Sequence, residues 1–117
     1  MTNRKVLWVS RHPMNEEQKA ALIGTKYKGL DIRQVEQSVE DVESLREDVL
    51  WADAICVVLP PQLMTQFMAA YKELGKPVLR AIAKRRVLED GAATFDFVKW
   101  QRVRDFVEIV EDWNPDD

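Results

Sequence analysis

Val6-Leu7-Trp8-Val9-Ser10-Arg11-His12-Pro13 is the stretch on which the reading of this chain turns. Four successive apolar residues without polar alternation fit a strand covered on both faces of a parallel sheet. Ser10, Arg11 and His12 then bring a hydroxyl, a guanidinium and the chain's only imidazole just past the carboxyl end of that strand. Asn15, with Gln18 three residues later, is a capping-box pattern that opens a helix. Ala20, Ala21, Leu22 and Ile23 give this helix an apolar side, and Gly24 stops it. Ligands of open α/β sheets gather beyond the carboxyl ends of the strands. A helix amino end there adds N–H groups and partial positive charge. Ser10 to Pro13 is therefore placed to meet an anion, with phosphate the usual one.

Working outward, the chain alternates strands and helices. Asp31 to Val35 reads as a weaker, more polar strand toward an edge. Val39, Val42, Leu45 and Val49 follow helical spacing on an acidic helix opened by Ser38. Ala54 to Leu59 is a second strong buried strand, halted by Pro60-Pro61. Leu63, Met64, Phe67, Met68, Tyr71 and Leu74 make a third amphipathic helix, closed by Gly75 with Pro77 beyond. Val78 to Ile82 reads as a fourth parallel strand. The C-terminal third is rich in aromatic and β-branched residues. Phe95 to Val103 and Phe106 to Val110 fit two strands, as a hairpin turning near Arg104-Asp105, although Val103, Phe106, Val110 and Trp113 also match helical spacing. The fold class is α/β: one Rossmann-like domain over 1–117, a mostly parallel sheet with flanking helices. Residues 1–90 form the parallel core and 91–117 a β-rich extension suited to self-association.

The 117 residues carry 46% apolar and 32% charged side chains, as an ordinary globular domain does. No apolar run is long enough to span a bilayer and the N-terminus lacks a signal-like stretch, so a cytoplasmic location is the default. A lone cysteine, Cys56, in an apolar strand reads as a core thiol. A formal charge of −3 argues against binding long nucleic acid. The charge is uneven, however. Acids dominate from Asp31 to Asp53, whereas Lys76, Arg80, Lys84, Arg85 and Arg86 form a run without an acid. A local cationic surface on an acidic protein suits a small anionic ligand.

Ser10, Arg11 and His12 are the candidate catalytic residues, and His12 is the one side chain whose ordinary pKa lies near neutrality. Their plain alternative is a hydrogen-bonded turn. Pro60 and Gln62 form the neighbouring rim, although Pro60-Pro61 serves equally as a strand stop. Lys84 and Arg85 stand beyond the fourth strand, where they would balance phosphate charge or sit solvated on the surface. The four tryptophans read as core or interface anchors. Neither Gly-x-Gly-x-x-Gly nor Gly-x-x-x-x-Gly-Lys occurs, which excludes the dinucleotide-binding fingerprint and the P-loop. One His and one Cys make no metal-ligand cluster, so any catalysis is expected to need neither metal nor cofactor.

Leu7-Trp8-Val9-Ser10-Arg11-His12-Pro13 together with Val58-Leu59-Pro60-Pro61-Gln62-Leu63 resembles the small ring-nuclease proteins of type III CRISPR systems. The resemblance covers about the first two thirds of the chain. It implies a domain that binds, and in active members cleaves, a cyclic oligoadenylate second messenger such as cyclic tetra-adenylate. Cleavage would be metal-independent: the 2′-hydroxyl attacks the adjacent phosphorus and leaves a 2′,3′-cyclic phosphate. It also implies Ser10 and Arg11 against phosphate or ribose oxygens, with His12 as a proton-transfer or orienting group; Pro13, next in the chain, is a ligand-binding candidate. Lys84 or Arg85 is assigned the opposing cation by position alone. The symmetry of a cyclic tetranucleotide favours a homodimer with two Ser10–His12 loops facing one ligand. Two alternatives stand beside it. A non-catalytic nucleotide sensor would use the same fold. Phe67 to Val78 also looks like the helix-to-strand passage of nucleoside deoxyribosyltransferase-like proteins, but Gln62 and Gln66 occupy the place of that family's carboxylate nucleophile.

Overall fold

The computed structural model describes residues 1–37, 39–105 and 109–116. The chain forms one six-stranded sheet with helices on both faces. In order it runs β1 (Asn3–Val9), α1 (Glu16–Ile23), β2 (Gly29–Val35), a 3₁₀ turn (Val42–Leu45) leading into α2 (Arg46–Trp51), β3 (Ala54–Val57) and α3 (Pro61–Tyr71). It then continues through β4 (Val78–Val87), β5 (Ala93–Asp105) and β6 (Ile109–Asp112). The spatial order is β2-β1-β3-β4-β5-β6. β1 pairs in parallel with β2 and β3, and β3 with β4. β4–β5 and β5–β6 are antiparallel. β2 is an edge strand, as its polar sequence predicts.

Two apolar clusters sandwich the sheet, sorted by the alternation of side chains along each strand. Leu7, Val9, Ile55 and Val57 pack against Val49 of α2 and Met64, Phe67 and Tyr71 of α3. Val6, Trp8, Ala54 and Cys56 face the other way, onto Leu22 of α1 and Trp100 of β5. Trp8 meets Trp100 edge to face at 6.1 Å, and Trp100 Nε1 donates to the Gln18 carbonyl at 3.1 Å, tying β5 to α1. Val6–Val9 of β1 and Ala54–Val57 of β3 are continuous apolar runs because both faces are covered there.

Four sequence expectations need correction. The sheet is mixed and only partly parallel, and its longest ladder is the antiparallel β4–β5 pair. β4 does not stop at Ile82 but runs to Val87. The chain then turns back through Leu88–Ala92, where Gly91 takes φ 86° and Ala92 N–H donates to the Asp90 carboxylate at 2.9 Å. Asp-Gly flanked by strand residues is a short-range hairpin signal, here masked by the charge of the preceding run. Lys84 and Arg85 therefore stand inside a strand of a two-stranded ribbon, not in a loop after it. The acidic helix also begins later than predicted. Asp41 caps the 3₁₀ turn by accepting from Glu43 N–H at 3.0 Å, and Val39 precedes the helical segment. The predicted cap Ser38, and Phe106 and Val107 of the last predicted strand, lie outside the described residues. Antiparallel β5 and β6 agree with the hairpin reading of the C-terminal third, but β5 runs through the expected turn at Arg104-Asp105, where Asp105 still pairs with Ile109. Finally, β3 is the short Ala54–Val57, since Val58 and Leu59 already leave the ladder.

Candidate functional site between the ends of β1 and β3

The chain leaves β1 leftward to β2 and later returns to pass β1 on the right as β3, so the strand order reverses between them. Crevices of open α/β sheets form at such a point. The backbone shows how this one opens. Ser10 N–H donates to the Val35 carbonyl of β2 at 3.2 Å, while the Val9 carbonyl accepts from Val58 N–H at 2.9 Å. Beyond these two bonds β1 and β3 part, leaving a hollow of about 330 Å³ lined by Ser10, Arg11, His12, Gln37, Val39, Val58, Leu59, Pro60, Leu63 and Val9.

The loop that supplies its polar wall is tied down from behind. Trp8 Nε1 donates to the His12 carbonyl at 2.7 Å. The Gln34 side-chain amide donates to the carbonyls of both Ser10 and His12, each at 3.0 Å. His12 N–H donates to Ser10 Oγ at 3.2 Å, which closes a local turn. Two backbone carbonyls are thus occupied from the sheet side, and the Arg11 and His12 side chains stand exposed at the rim. The opposite wall is apolar. Val58 is 61% exposed just past a fully buried strand, an unusual display for a valine at that place.

Of the residues singled out in the sequence, Ser10, Arg11, His12 and Pro60 come together here. Pro13 adjoins the loop without lining the hollow, and Gln62 is exposed in the first turn of α3 outside it. Lys84 and Arg85 do not line it either. At about 3.3 Å per strand residue they lie roughly 17–20 Å along β4 from Leu79. Lys84 is paired with Asp96 in the ladder, and Arg86 bridges Asp96 at 3.3 Å. Among the described lining residues Arg11 is the one cation and there is no carboxylate.

The helix end beside the hollow also differs from the expected one. The amino end of α1 is already satisfied by the Asn15–Gln18 capping box and carries Glu16 and Glu17 in its first turn, so it repels an anion. α3 is the helix that borders the hollow: Pro60 is its cap, no side chain closes it, and its first turn holds no acid. No local pattern marks Gln34, Gln37 or Val39 as site residues: Gln34 acquires its role through its register opposite Trp8 in the β1–β2 ladder, and Gln37 and Val39 line the hollow from the segment after β2. No helix among the described residues is long and apolar enough to cross a membrane. No family model, curated protein or solved structure matches this chain.

Proposed function

We propose that the hollow between β1 and β3 binds one adenylate unit of a cyclic oligoadenylate and that the Ser10–His12 loop promotes metal-independent opening of the ring on this Rossmann-like framework. The observation that carries this reading is the meeting of Ser10, Arg11 and His12 with the apolar Val58–Leu59–Pro60 wall in one cavity. An apolar wall suits a base, and the polar rim suits ribose and phosphate. Its volume is at the small end for ligand pockets, enough for about one nucleotide. A ring of four would therefore span two copies of the protein across a two-fold axis.

In the proposed step the 2′-oxygen forms a bond to the adjacent phosphorus as the bond from phosphorus to the 5′-oxygen breaks. The proton lost by the 2′-hydroxyl and the proton gained by the 5′-oxygen pass through His12 or water. Arg11 offsets charge on the phosphoryl oxygens, and Ser10 is within reach of the same group. Incubation with cyclic tri-, tetra- and hexa-adenylate in EDTA tests the reading, with linear products ending in a 2′,3′-cyclic phosphate as the expected result. His12→Ala is expected to slow cleavage by about 10²–10⁴-fold while binding persists, and Arg11→Ala to weaken binding about tenfold. Failure to bind any of the three rings would reject it.

A sensor without turnover is the second reading, favoured by the single lining cation and by the use of Ser10 Oγ in the loop's own turn. It predicts tight binding with no product. Glycosyl transfer through a carboxylate nucleophile is disfavoured, because no described lining residue carries one.

A further inference from the structure

The opposite end of the sheet, where the parallel strands begin, holds a second and more polar hollow of about 370 Å³. Its charges are unevenly matched. Two of the three carboxylates that line it are in ion pairs, Glu111 with Arg104 at 2.6 Å and Asp112 with Lys99 at 3.0 Å, and the third, Asp53, accepts from the Lys5 backbone N–H at 2.9 Å.

Among the described residues, the lining cations Arg4 and Arg102 hydrogen-bond only to neutral groups, although Asp116 lies near enough to Arg4 and Lys26, and Glu111 to Arg102, for their charges to act on one another. Arg4 is 6% exposed and lies over the rings of Tyr27 and Trp113, at 4.3 and 5.2 Å. Its Nη2 donates to the Pro115 carbonyl at 2.8 Å, while its buried Nε has no partner. Arg102 Nη2 donates to the Gly75 carbonyl at 3.1 Å. Burial, and then the neighbouring charge of Arg104, make the Arg102 guanidinium easier to deprotonate than usual. Neither guanidinium forms an ion pair among the described residues, and Lys26 adds a third positive group to the wall. A buried arginine such as Arg4, in no direct ion pair and with its Nε unsatisfied, is unfavourable unless a further acceptor reaches it.

We propose that this basin binds a small phosphorylated molecule, its phosphate oxygens held by Arg4, Arg102 and Lys26. Planar guanidinium forks fit the paired oxygens of a phosphate. The volume exceeds that of inorganic phosphate alone, so the ligand carries a further polar body. The assignment is independent of the Ser10–His12 hollow.

Pyrophosphate titrated at constant ionic strength tests it, read by thermal melting and by the fluorescence of Trp113, which lines the basin. A saturable fluorescence change with a rise in melting temperature is expected. Trp113→Phe should abolish the optical change and keep the thermal one. Arg102→Gln should weaken affinity at least tenfold, and Arg11→Ala, at the other end of the sheet, should leave it unchanged. Should Arg102→Gln not fold, the exposed Lys26→Glu variant decides instead and should weaken affinity at least tenfold. No saturable response, unaltered affinity in the basin variants, loss of binding in Arg11→Ala, or citrate binding as tightly as pyrophosphate would each overturn the proposal.

Discussion

Gln34 shows how much one side chain off the loop can govern it. Its amide donates to two carbonyls of the Ser10–His12 loop at once, so the loop's outward face is fixed from the sheet. Gln34→Ala leaves the Ser10 carbonyl to find water and the His12 carbonyl with Trp8 Nε1 alone, and is expected to weaken ligand capture severalfold. Stability should fall by only about 1 kcal/mol, the usual net worth of such hydrogen bonds. Gln34→Glu should be worse, because a carboxylate would confront two acceptors. Calorimetric binding with a melting curve for each variant separates the two effects. Equal affinity in all three proteins would show that the loop holds its shape without Gln34. The loop residues themselves were legible in the sequence, since an apolar run followed by Ser-Arg-His-Pro marks a strand end directly. Gln34 was not, because a glutamine in a polar edge strand acquires this role only through its register with Trp8.

The ends of α1 were the most legible elements because their chemistry is local. The Asn15 carboxamide accepts from Gln18 N–H at 2.8 Å and Gln18 Oε1 accepts in return from Asn15 N–H at 2.9 Å. Asn15→Ala should therefore cost about 1 kcal/mol in a denaturant melt. An unchanged midpoint would show that α1 is held by packing alone. The far end of α1 depends on the tail. Asp116 accepts from the backbone N–H and the hydroxyl of Thr25, at 2.6 and 2.8 Å. These bonds to Thr25 hold its carboxyl below the usual range. A depressed folded-state pKa gives stabilisation that is full above the unfolded value of about 3.9 and is lost as pH falls through the lower folded one. Asp116→Asn should accordingly flatten the acid limb of the stability curve below about pH 5. The same slope in both proteins would contradict this. Gly24, at φ 65°, reinforces the junction, because a Cβ there would lie 2.6 Å from Asp116 Oδ1. Nothing in the local sequence announces a contact between residues 24 and 116, so it was invisible before the fold was known. The outer half of β4 was missed for another reason: Lys84-Arg85-Arg86 is too polar to read as a strand until its partner Ala93–Phe97 is in place.

At the scale of the whole molecule, the parallel half of the sheet and its antiparallel half do different work. The central parallel strands β1 and β3, buried on both faces where they pair, end in the hollow at their divide. The antiparallel ribbon extends past them, with Val87 and Phe95 standing 65% and 70% exposed. The general architecture followed from alternating strand and helix patterns. The change of direction at Asp90-Gly91 did not, because one short turn decides it. The two halves join at the irregularity between Ile82 and Ala83, where β4 pairs first with Lys99 and then with Phe97. Val98 is therefore one residue more than the ladder consumes, and that surplus is what lets Phe97 share a side of the sheet with Trp100, 5.5 Å away. Excising Val98 should keep every aromatic on its present side and merely straighten the arm, whereas excising Asp96 should transpose Thr94 and Phe95 and move Phe95 from the side of Arg85 to that of Lys84 and Arg86. Limited proteolysis of the two shortened chains would tell them apart: the first as resistant as its parent, the second cut within the arm.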